Sequence, residues 1–291
     1  MDRADEANPV RALGKAGTQI SQAIHDAVLA GGEPVRTLVD VLHGTWLGHP
    51  LHSVLTDVTV GAWTLGALFD AIGAAGGPRA ARRTGDQLAA VGTASALPTA
   101  LSGLADWTTF PEWAENPATL HAIGNLMAVG LYLLSIRDRR AGHRTRGLAL
   151  SGIALGLSAV SAWLGGEMVY RYQVGVNHAD HFKKLTNWTT VGDLAHVPKR
   201  GVRCVEVDGK GVLLSRDGDR VCAIGAKCSH AGGPLREGHV SGHTVECPWH
   251  NSVFDLRNGS IVHGPATQAQ PAFEVRVVDS KVQVRMRDDN G

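Results

Sequence analysis

Two short segments near the C-terminus each join a cysteine to a histidine. The first is Cys228-Ser229-His230, and the second, sixteen residues later, is Cys247-Pro248-Trp249-His250. Thiolates are soft donors that bind zinc and iron–sulfur clusters, and neutral imidazoles are common co-ligands of the same metals. A zinc site of this composition more often has a C-x-x-C pair followed by a histidine pair. The mixed pairs are therefore candidates for a metal centre, although a chain without any metal here is also an open interpretation.

The spacing and flanks of these pairs resemble the Rieske [2Fe–2S] family. Gly232-Gly233-Pro234-Leu235 follows the first pair and Phe254-Asp255 follows the second, as in Rieske ferredoxins and the Rieske domains of oxygenases. The resemblance implies a cluster in which two thiolates hold one iron and two imidazoles hold the other. A structural zinc site is the alternative interpretation. The implied ligands are Cys228, His230, Cys247 and His250.

Several positions depart from the high-potential Rieske subtype. Those proteins join the two loops by a disulfide, whereas this chain has Gly233 and Trp249 at the two positions. Ser252 keeps a hydroxyl that could donate to a cluster sulfur, but Phe254 stands where a tyrosine would add a second donor, and Asn251 replaces the usual glycine. Fewer donors to sulfur stabilise the reduced cluster less. The resemblance therefore implies a low-to-intermediate potential of the ferredoxin type.

The C-terminal third otherwise has the pattern of an all-β domain. Apolar and polar residues alternate in short runs, with hairpin signals at Asp208-Gly209 and Asp217-Gly218. Gly264-Pro265 resembles the proline-bearing loop that covers the cluster in Rieske proteins. We expect Cys204 and Cys222 to be small buried hydrophobes of strands. The predicted strands are Val202–Val207, Gly211–Ser215, Arg220–Ile224, Phe273–Val278 and Val282–Met286.

The preceding part of the chain contains four long apolar stretches. Each has about 20 residues, the length that crosses a hydrocarbon core. The middle two contain no charged residue, and the charges of the first are Asp57 and Asp70. A soluble helical bundle is the alternative, but charges that collect in the connections favour membrane spans. We expect a multi-domain chain in which an α-helical transmembrane four-helix bundle precedes an all-β Rieske domain. The stretches are Leu51–Ile72, Leu88–Ala105, Ala118–Ile136 and Gly147–Val169.

Residues 42–177 also resemble a family of four-helix bacterial membrane proteins whose function is undefined. The resemblance rests on His49-Pro50-Leu51-His52 before the first span and on His121 in the third. It also rests on Ser102–Asp106 and Gly165–Tyr170, at the ends of the second and fourth spans. The family implies an architecture but no activity.

Helix counting places a set of ionisable residues on one side of the four spans. Ionisable groups in or near the bilayer are costly and often functional. A histidine-lined pocket could bind a metal ion, a quinone or haem b, with His52 and His121 as the axial ligands. The alternative is that these histidines hydrogen-bond helix ends and lipid headgroups. The set comprises His49, His52, Asp106, His121, Glu167, His178 and His181.

Two indications of membrane sidedness disagree. The loops on the opposite side are rich in arginine, whereas residues 106–117 contain no lysine or arginine. The positive-inside rule therefore favours cytoplasmic arginine loops and an extracytoplasmic cluster domain. Iron–sulfur clusters are normally inserted in the cytoplasm, however, and the first fifty residues show no signal peptide. We expect a multi-pass protein of the cell membrane and leave the side of the cluster domain open.

The sequence predicts four segments. Residues 1–45 form an amphipathic or flexible segment, 46–172 the membrane domain, 173–187 a linker and 188–287 the Rieske domain. No flavin, nicotinamide or nucleic-acid-binding motif is visible, and the net charge is only +1. We expect a membrane-anchored one-electron carrier in contact with lipid and with a redox partner protein, rather than a complete enzyme. The alternatives are a quinol-oxidising or haem-binding membrane oxidoreductase and a redox or iron sensor.

Overall fold

A computed structural model describes residues 9–110, 114–182 and 185–287. The chain divides into two compact units. The first comprises the N-terminal helix and Pro50–Val174, and the second comprises Gly31–His49 and the chain from Gly175 onward. Within the described ranges there are six α-helices, which in chain order are α1 (Pro9–Ala30), α2 (Gly32–His43), α3 (Leu51–Ala74), α4 (Arg79–Trp107), α5 (Glu115–Arg140) and α6 (Arg144–Tyr170).

The first unit is built from two helical hairpins. Helix α3 packs along α4, and α5 packs along α6, while α1 lies against α5. Helices α3, α4, α5 and α6 are long and apolar enough to cross a membrane. Many of their large apolar side chains face outward, for example Leu97 and Leu126, each 66% exposed. An outward apolar surface with a small-residue interior is typical of membrane helices. The predicted fold class and four-helix arrangement are confirmed.

Small residues and one aromatic pair fill the interior of the helical unit. Ala89, Ala128 and Ala154 are buried where the helices approach. Trp63 on α3 stacks on Tyr132 on α5, with ring centroids 4.1 Å apart and planes 11° from parallel. Close helix packing in lipid depends on such small side chains because lipid supplies no hydrophobic driving force between helices.

An ion-pair network links all four long helices at the arginine-rich end. The side chain of Arg139 is 3% exposed and bonds both Asp70 oxygens, at 2.6 and 2.9 Å, and Asp86 at 2.9 Å. Arg144 bonds the same two carboxylates at 2.9–3.1 Å. Two of the arginines that the charge rule counts are therefore structural partners of acidic residues.

The second unit contains α2 and ten antiparallel strands in three sheets. The sheet orders are β1-β10-β9, β2-β3-β4 and β5-β6-β7-β8. The strands are β1 (Thr189–Asp193), β2 (Arg203–Val207), β3 (Lys210–Asp217), β4 (Arg220–Gly225), β5 (His239–Ser241), β6 (Thr244–Glu246), β7 (Val253–Asp255), β8 (Ile261–His263), β9 (Phe273–Val278) and β10 (Lys281–Met286).

The predicted strands and turns agree with these sheets. Asp208 and Gly209 have φ of 50° and 74° between β2 and β3, and Gly218 has φ of 61° between β3 and β4. Such positive φ values are what tight hairpin turns require. One expectation was wrong: Cys222 is buried, but Cys204 is exposed. Cys204 lies on β2, an edge strand of its sheet, and alternates with Val205 and Val207, whose side chains pack in the core, so the Cys204 side chain lies on the opposite face.

Two apolar cores support the second unit. One joins the β1-β10-β9 sheet to the β2-β3-β4 sheet and includes Val212, Val282 and Val284, all fully buried. The other contains Leu213, Leu235, Phe254 and both loop cysteines, Cys228 and Cys247. The cysteine–histidine loops are therefore built on a rigid apolar base, which fixes the directions of their side chains.

Candidate metal centre

The two cysteine–histidine pairs lie on two loops with matching backbone geometry. The first loop follows β4, and the second joins β6 to β7. In the first, the Cys228 N–H donates to Gly233 O at 2.9 Å and the Cys228 carbonyl accepts from Gly232 N–H at 2.9 Å. In the second, the Cys247 N–H donates to Ser252 O at 2.8 Å and its carbonyl accepts from Asn251 N–H at 3.1 Å. The backbone N–H and the backbone carbonyl of each cysteine are thus both hydrogen-bonded within its own loop.

The two loops bring the four predicted ligands together as two like pairs. Cys228 and Cys247 are 1% and 2% exposed, and their thiols share a hydrogen bond. That bond raises the pKa of Cys228 well above its usual range and lowers the pKa of Cys247 to about 7. The rings of His230 and His250 lie 5.0 Å apart with planes 87° from parallel. Sulfur donors thus meet sulfur donors, and imidazole meets imidazole.

The imidazole of His230 is held in its neutral form. Burial, with the nearby His250, lowers the pKa of His230 well below its usual value. A neutral imidazole offers a lone pair to a metal, whereas a protonated imidazole does not. The Nδ1 atom of His250 is also buried within these loops.

The arrangement fits a two-metal cluster better than one zinc ion. A structural zinc site needs four ligands that converge on one point. Within the described residues, no three His, Cys, Asp or Glu side chains converge in this way. The space beside the Cys247 sulfur is also narrow. A Cβ at Gly233 would lie only 2.7 Å from that sulfur. Two thiols and two imidazoles in separate pairs suit two irons, each held by one pair.

The positions that carry a disulfide in the high-potential subtype lie against each other here. A Cβ at Gly233 would stand 3.2 Å from the indole of Trp249. Trp249 is 49% exposed, and its ring lies 6.4 Å from that of His250. All four cysteines of the chain are free thiols. Ring-on-backbone packing thus replaces the covalent link between the loops.

Ser252 is fully buried, and its hydroxyl oxygen accepts a hydrogen bond from Ala266 N–H at 3.1 Å. Because the oxygen is the acceptor in that bond, its hydrogen stays available to donate to a third group. Phe254 is also fully buried and brings no donor. Of these two buried side chains, only Ser252 carries a hydroxyl that can donate a hydrogen bond, so the sequence-based prediction of one donor to sulfur rather than two stays open to test.

Helix α2 packs on the loop after β8, a contact that sequence reasoning did not find. Asp40 Oδ1 accepts from Gly264 N–H at 2.7 Å, and Asp40 Oδ2 lies 2.7 Å from Nδ1 of His263. Glu33 Oε1 lies 3.0 Å from the other nitrogen of His263. Ala266, two residues beyond Gly264, is the donor to Ser252. A carboxylate on α2 therefore holds the segment that bonds the loop serine.

Arg36 links α2 to the second ligand loop. Its guanidinium donates to the backbone carbonyl of Asn251 at 3.0 Å and lies 3.9 Å from Glu246. Asn251 has a φ of 61°, and its side-chain amide donates to Glu246 at 2.6 Å. Asparagine tolerates this left-handed conformation better than most residues do. The asparagine at the usual glycine position therefore keeps the turn and adds a bond to the strand before it.

Two further histidines of the second unit lie near His230. His43 on α2 and His178 of the linker both oppose its protonation. The backbone N–H of His178 donates to Ser229 O at 2.9 Å, inside the first ligand loop. The sequence placed His178 among the functional candidates but gave no signal for His43, which is 3% exposed. His230 and His250 are half-buried rather than fully exposed.

The helical unit brings together only part of the remaining histidine set. The rings of His52 and His121 lie 6.1 Å apart, and Asp106 lines the same cavity. Glu167 instead pairs with Arg171 at 3.4 Å. His49 is exposed, and the His181 carbonyl accepts from Lys210 within the second unit. Of the seven residues predicted to share one side of the spans, His52, His121 and Asp106 line one cavity of the helical unit.

Comparison with known families assigns both parts of the chain. Residues 48–178 match the family described as "Predicted membrane protein (DUF2231)". Residues 187–276 match the Rieske [2Fe-2S] domain. The family description gives the first part a membrane architecture without an activity.

Similar proteins match the C-terminal part. The human protein Apoptosis-inducing factor 3 is 37% identical over 84 residues, 29% of this chain, and the match spans only 14% of its length. The 3-phenylpropionate/cinnamic acid dioxygenase ferredoxin subunit of Photorhabdus laumondii is 32% identical over 94 residues, 32% of this chain and 89% of its own length. A solved structure, the ferredoxin of carbazole 1,9a-dioxygenase from Nocardioides aromaticivorans, is 31% identical, with a TM-score of 0.33, covering 35% of this chain and 99% of that one. Through its C-terminal domain, which implies a [2Fe–2S] cluster, this chain belongs to the Rieske family.

Proposed function

We propose that this protein is a membrane-anchored one-electron carrier. The observation that carries the proposal is the meeting of two buried thiols and two imidazoles on two rigid loops. Cys228 and Cys247 would hold one iron, and His230 and His250 the other. When bound, such a cluster accepts and releases one electron without any change in its ligands.

The chain's own residues set the environment of that electron. The apolar base of Leu235 and Phe254 excludes water from the sulfur side, and the Ser252 hydroxyl can donate to a sulfur. Neutral imidazoles add no negative charge, which raises the potential relative to an all-thiolate site. With one hydroxyl donor instead of two, the potential stays low to intermediate.

The proposed partner is a second redox protein. The similar ferredoxins are named as components of dioxygenase systems, so each works with other proteins. Trp249 is a half-exposed aromatic side chain beside His250, as expected at a protein contact. We propose that the partner docks over this indole. The alternative of a redox or iron sensor uses the same cluster but predicts no net electron flow.

The four apolar helices are the proposed anchor, with the cluster domain on the extracytoplasmic side. The arginines of residues 79–83 and 137–146 favour cytoplasmic placement of those loops. Four of these arginines pair with acidic residues, namely Arg137, Arg139, Arg144 and Arg146. A protease added to sealed right-side-out vesicles would remove the cluster domain if it is extracytoplasmic, and would leave it intact if it is cytoplasmic.

Iron analysis and a redox titration of the full chain in nanodiscs test the carrier function. We expect about two irons and two sulfides per chain and a reversible one-electron reduction. Cys247→Ser and His250→Ala should lose the cluster, whereas His239→Ala, at an exposed histidine of β5, should keep it. Bound zinc without iron would contradict the proposal. A Soret band in the same preparation would instead support the haem-binding alternative.

A further inference from the structure

The helical unit contains a cavity of about 330 Å³ between its two hairpins. Its walls are mainly apolar and include the aromatic side chains of Trp63, Trp107 and Phe110. The polar groups His52, His121 and Asn125 are part of the lining. Cavities of this size with a few convergent polar groups are typical sites for a small ligand.

Both histidine rings are oriented by the same kind of hydrogen bond, from Nδ1 to a backbone carbonyl of the neighbouring helix. Nδ1 of His52 on α3 lies 2.9 Å from the Thr99 carbonyl of α4, and Nδ1 of His121 on α5 lies 2.7 Å from the Ser161 carbonyl of α6. In each hairpin a glycine, Gly103 or Gly165, stands four residues beyond that carbonyl and lies beside the ring. A carbonyl can only accept, so each Nδ1 carries the hydrogen. In the neutral form of each ring, Nε2 is therefore a hydrogen-bond acceptor.

The two acceptors differ in what they already bind. The Asn125 side-chain amide donates to Nε2 of His121 at 3.0 Å. Within the described residues, His52 makes its hydrogen bond through Nδ1. Iron coordination by both imidazoles would require the lone pair that Asn125 occupies, so the geometry disfavours haem ligation. His52 is left to accept a hydrogen bond from a ligand.

The cavity opens toward the lipid-facing surface. Leu97 and Leu126 line it and are each 66% exposed, and Leu101 also lines it and is 46% exposed. Side chains of this kind on a membrane helix face acyl chains. A ligand that enters between them must be soluble in the bilayer.

We propose that this cavity binds the aromatic head of a membrane-soluble hydroquinone, whose hydroxyl donates to Nε2 of His52. The aromatic walls fit a ring, the lipid-facing opening fits an apolar tail, and the acceptor fits a hydroxyl hydrogen. The choice of a hydroquinone among phenols rests on the proposed carrier function, because a hydroquinone can supply electrons. The site itself lies entirely in the helical unit and does not depend on the cluster.

The test measures binding of two matched probes to the full chain in nanodiscs, with empty nanodiscs as the blank. 1-Naphthol donates a hydrogen bond, whereas 1-methoxynaphthalene has a similar ring and no donor. The cluster is kept reduced with dithionite so that no electron transfer complicates the comparison. We expect 1-naphthol to bind about tenfold more tightly, the effect of one hydrogen bond to a desolvated acceptor.

Glycine variants locate the binding. A Cβ at Gly103 would come within 2.7 Å of the His52 ring, so Gly103→Ala should displace that ring and remove the preference for 1-naphthol. Gly152→Ala is the matched control, since a Cβ there meets nothing within 4 Å, and it should keep the preference. Equal binding of both probes to the unmodified protein, or a preference that survives in Gly103→Ala and His52→Ala, would overturn the proposal. So would a Soret band on addition of haemin that disappears in His52→Ala. Failure of these tests would leave the iron content and redox titration of the cluster unaffected.

Discussion

At the scale of single residues, one buried hydroxyl in the second cysteine–histidine loop is the candidate for tuning the cluster. Ser252 is fully buried and accepts from Ala266 N–H, which orients its hydroxyl group. The next candidate position is occupied by Phe254, which has no donor. One hydroxyl can therefore account for the side-chain tuning of the potential at this end of the domain.

We expect Ser252→Ala to lower the midpoint potential. A net hydrogen-bond contribution of about 1 kcal/mol to the reduced state corresponds to about 40 mV for a one-electron couple. The measurement is a redox titration followed by EPR on the holoprotein. Ser260→Ala, at an exposed position after β7, is the control and should leave the potential unchanged. An unchanged potential in Ser252→Ala would exclude the hydroxyl as a donor to the cluster.

A carboxylate next to β7 predicts a pH dependence of stability. Hydrogen bonds from Arg257 lower the pKa of Asp255, which is 7% exposed. A lowered pKa means that the ionised form stabilises the fold above the ordinary carboxyl value of about 4 and that this contribution is lost as pH falls through the folded-state pKa.

Asp255→Asn should therefore unfold at lower denaturant concentration than the unmodified protein at pH 7, and the difference should shrink at pH 3. Asp219→Asn, at an exposed turn, is the control with no expected difference at either pH. Denaturant unfolding of the holoprotein at the two pH values measures this. A difference that is the same at both pH values would contradict the assigned ion pair.

At the scale of elements, helix α2 holds the ligand loops from outside the β-domain. Asp40 and Arg36 bond segments more than 200 residues away in the chain, at Gly264 and Asn251. Neither residue belongs to a cysteine–histidine motif. The helix thus acts as a positioning element for both the second ligand loop and the segment that bonds Ser252.

We expect Asp40→Ala to release that segment. The change leaves the Gly264 N–H without its acceptor, which costs about 1–3 kcal/mol when the group is buried. The cluster should then bleach faster in chelator, and the midpoint potential should shift because the Ser252 hydroxyl loses its fixed direction. Asp219→Ala in the same unit is the control. If bleaching and potential both stay the same, α2 does not position the loops.

The ion-pair network of the long helices carries a second prediction at this scale. Arg139→Met removes the more buried of the two arginines that bond Asp70 and Asp86 and leaves only Arg144, whose side chain is 28% exposed. The cost should therefore stay below the roughly 3–5 kcal/mol of a buried ion pair that loses one partner entirely. The midpoint temperature of thermal unfolding in nanodiscs should fall by several degrees. Arg137→Gln, whose side chain is 64% exposed, should change little. If the two substitutions lowered the unfolding temperature equally, the buried ion-pair network would contribute no more to stability than an exposed ion pair.

At the scale of the whole molecule, local patterns predict most elements but few long-range contacts. The four apolar stretches, the hairpin turns at Asp208-Gly209 and Asp217-Gly218, and the strands around them follow from periodicity and turn chemistry. The placement of α2 does not, because a charged residue on an amphipathic helix gives no sign of its distant partner. The exposed Cys204 was missed for the related reason that edge position depends on sheet order.

The candidate sites show the same division. The mixed cysteine–histidine spacing suffices to propose four candidate ligands, because each pair is local in sequence, and the structure brings the four side chains together as two like pairs. The equivalence of the two helical hairpins is visible only in the structure, where His52 and His121 each bond a carbonyl four residues before a glycine. The flanking sequences differ too much to show a repeat. The shared hydrogen-bond geometry of the two hairpins therefore identifies His52 and His121 as equivalent positions, which the residue pattern alone does not.

The measurement that tests the central claim most directly is pulsed EPR of the reduced full chain, read for nitrogen hyperfine couplings. We expect two distinct strong ¹⁴N couplings from His230 and His250 on one iron. Both should remain in His239→Ala, a histidine variant outside the ligand loops. A reduced iron–sulfur signal without such couplings, or a protein that holds zinc and gives no signal, would contradict the assignment of a two-thiolate, two-imidazole cluster.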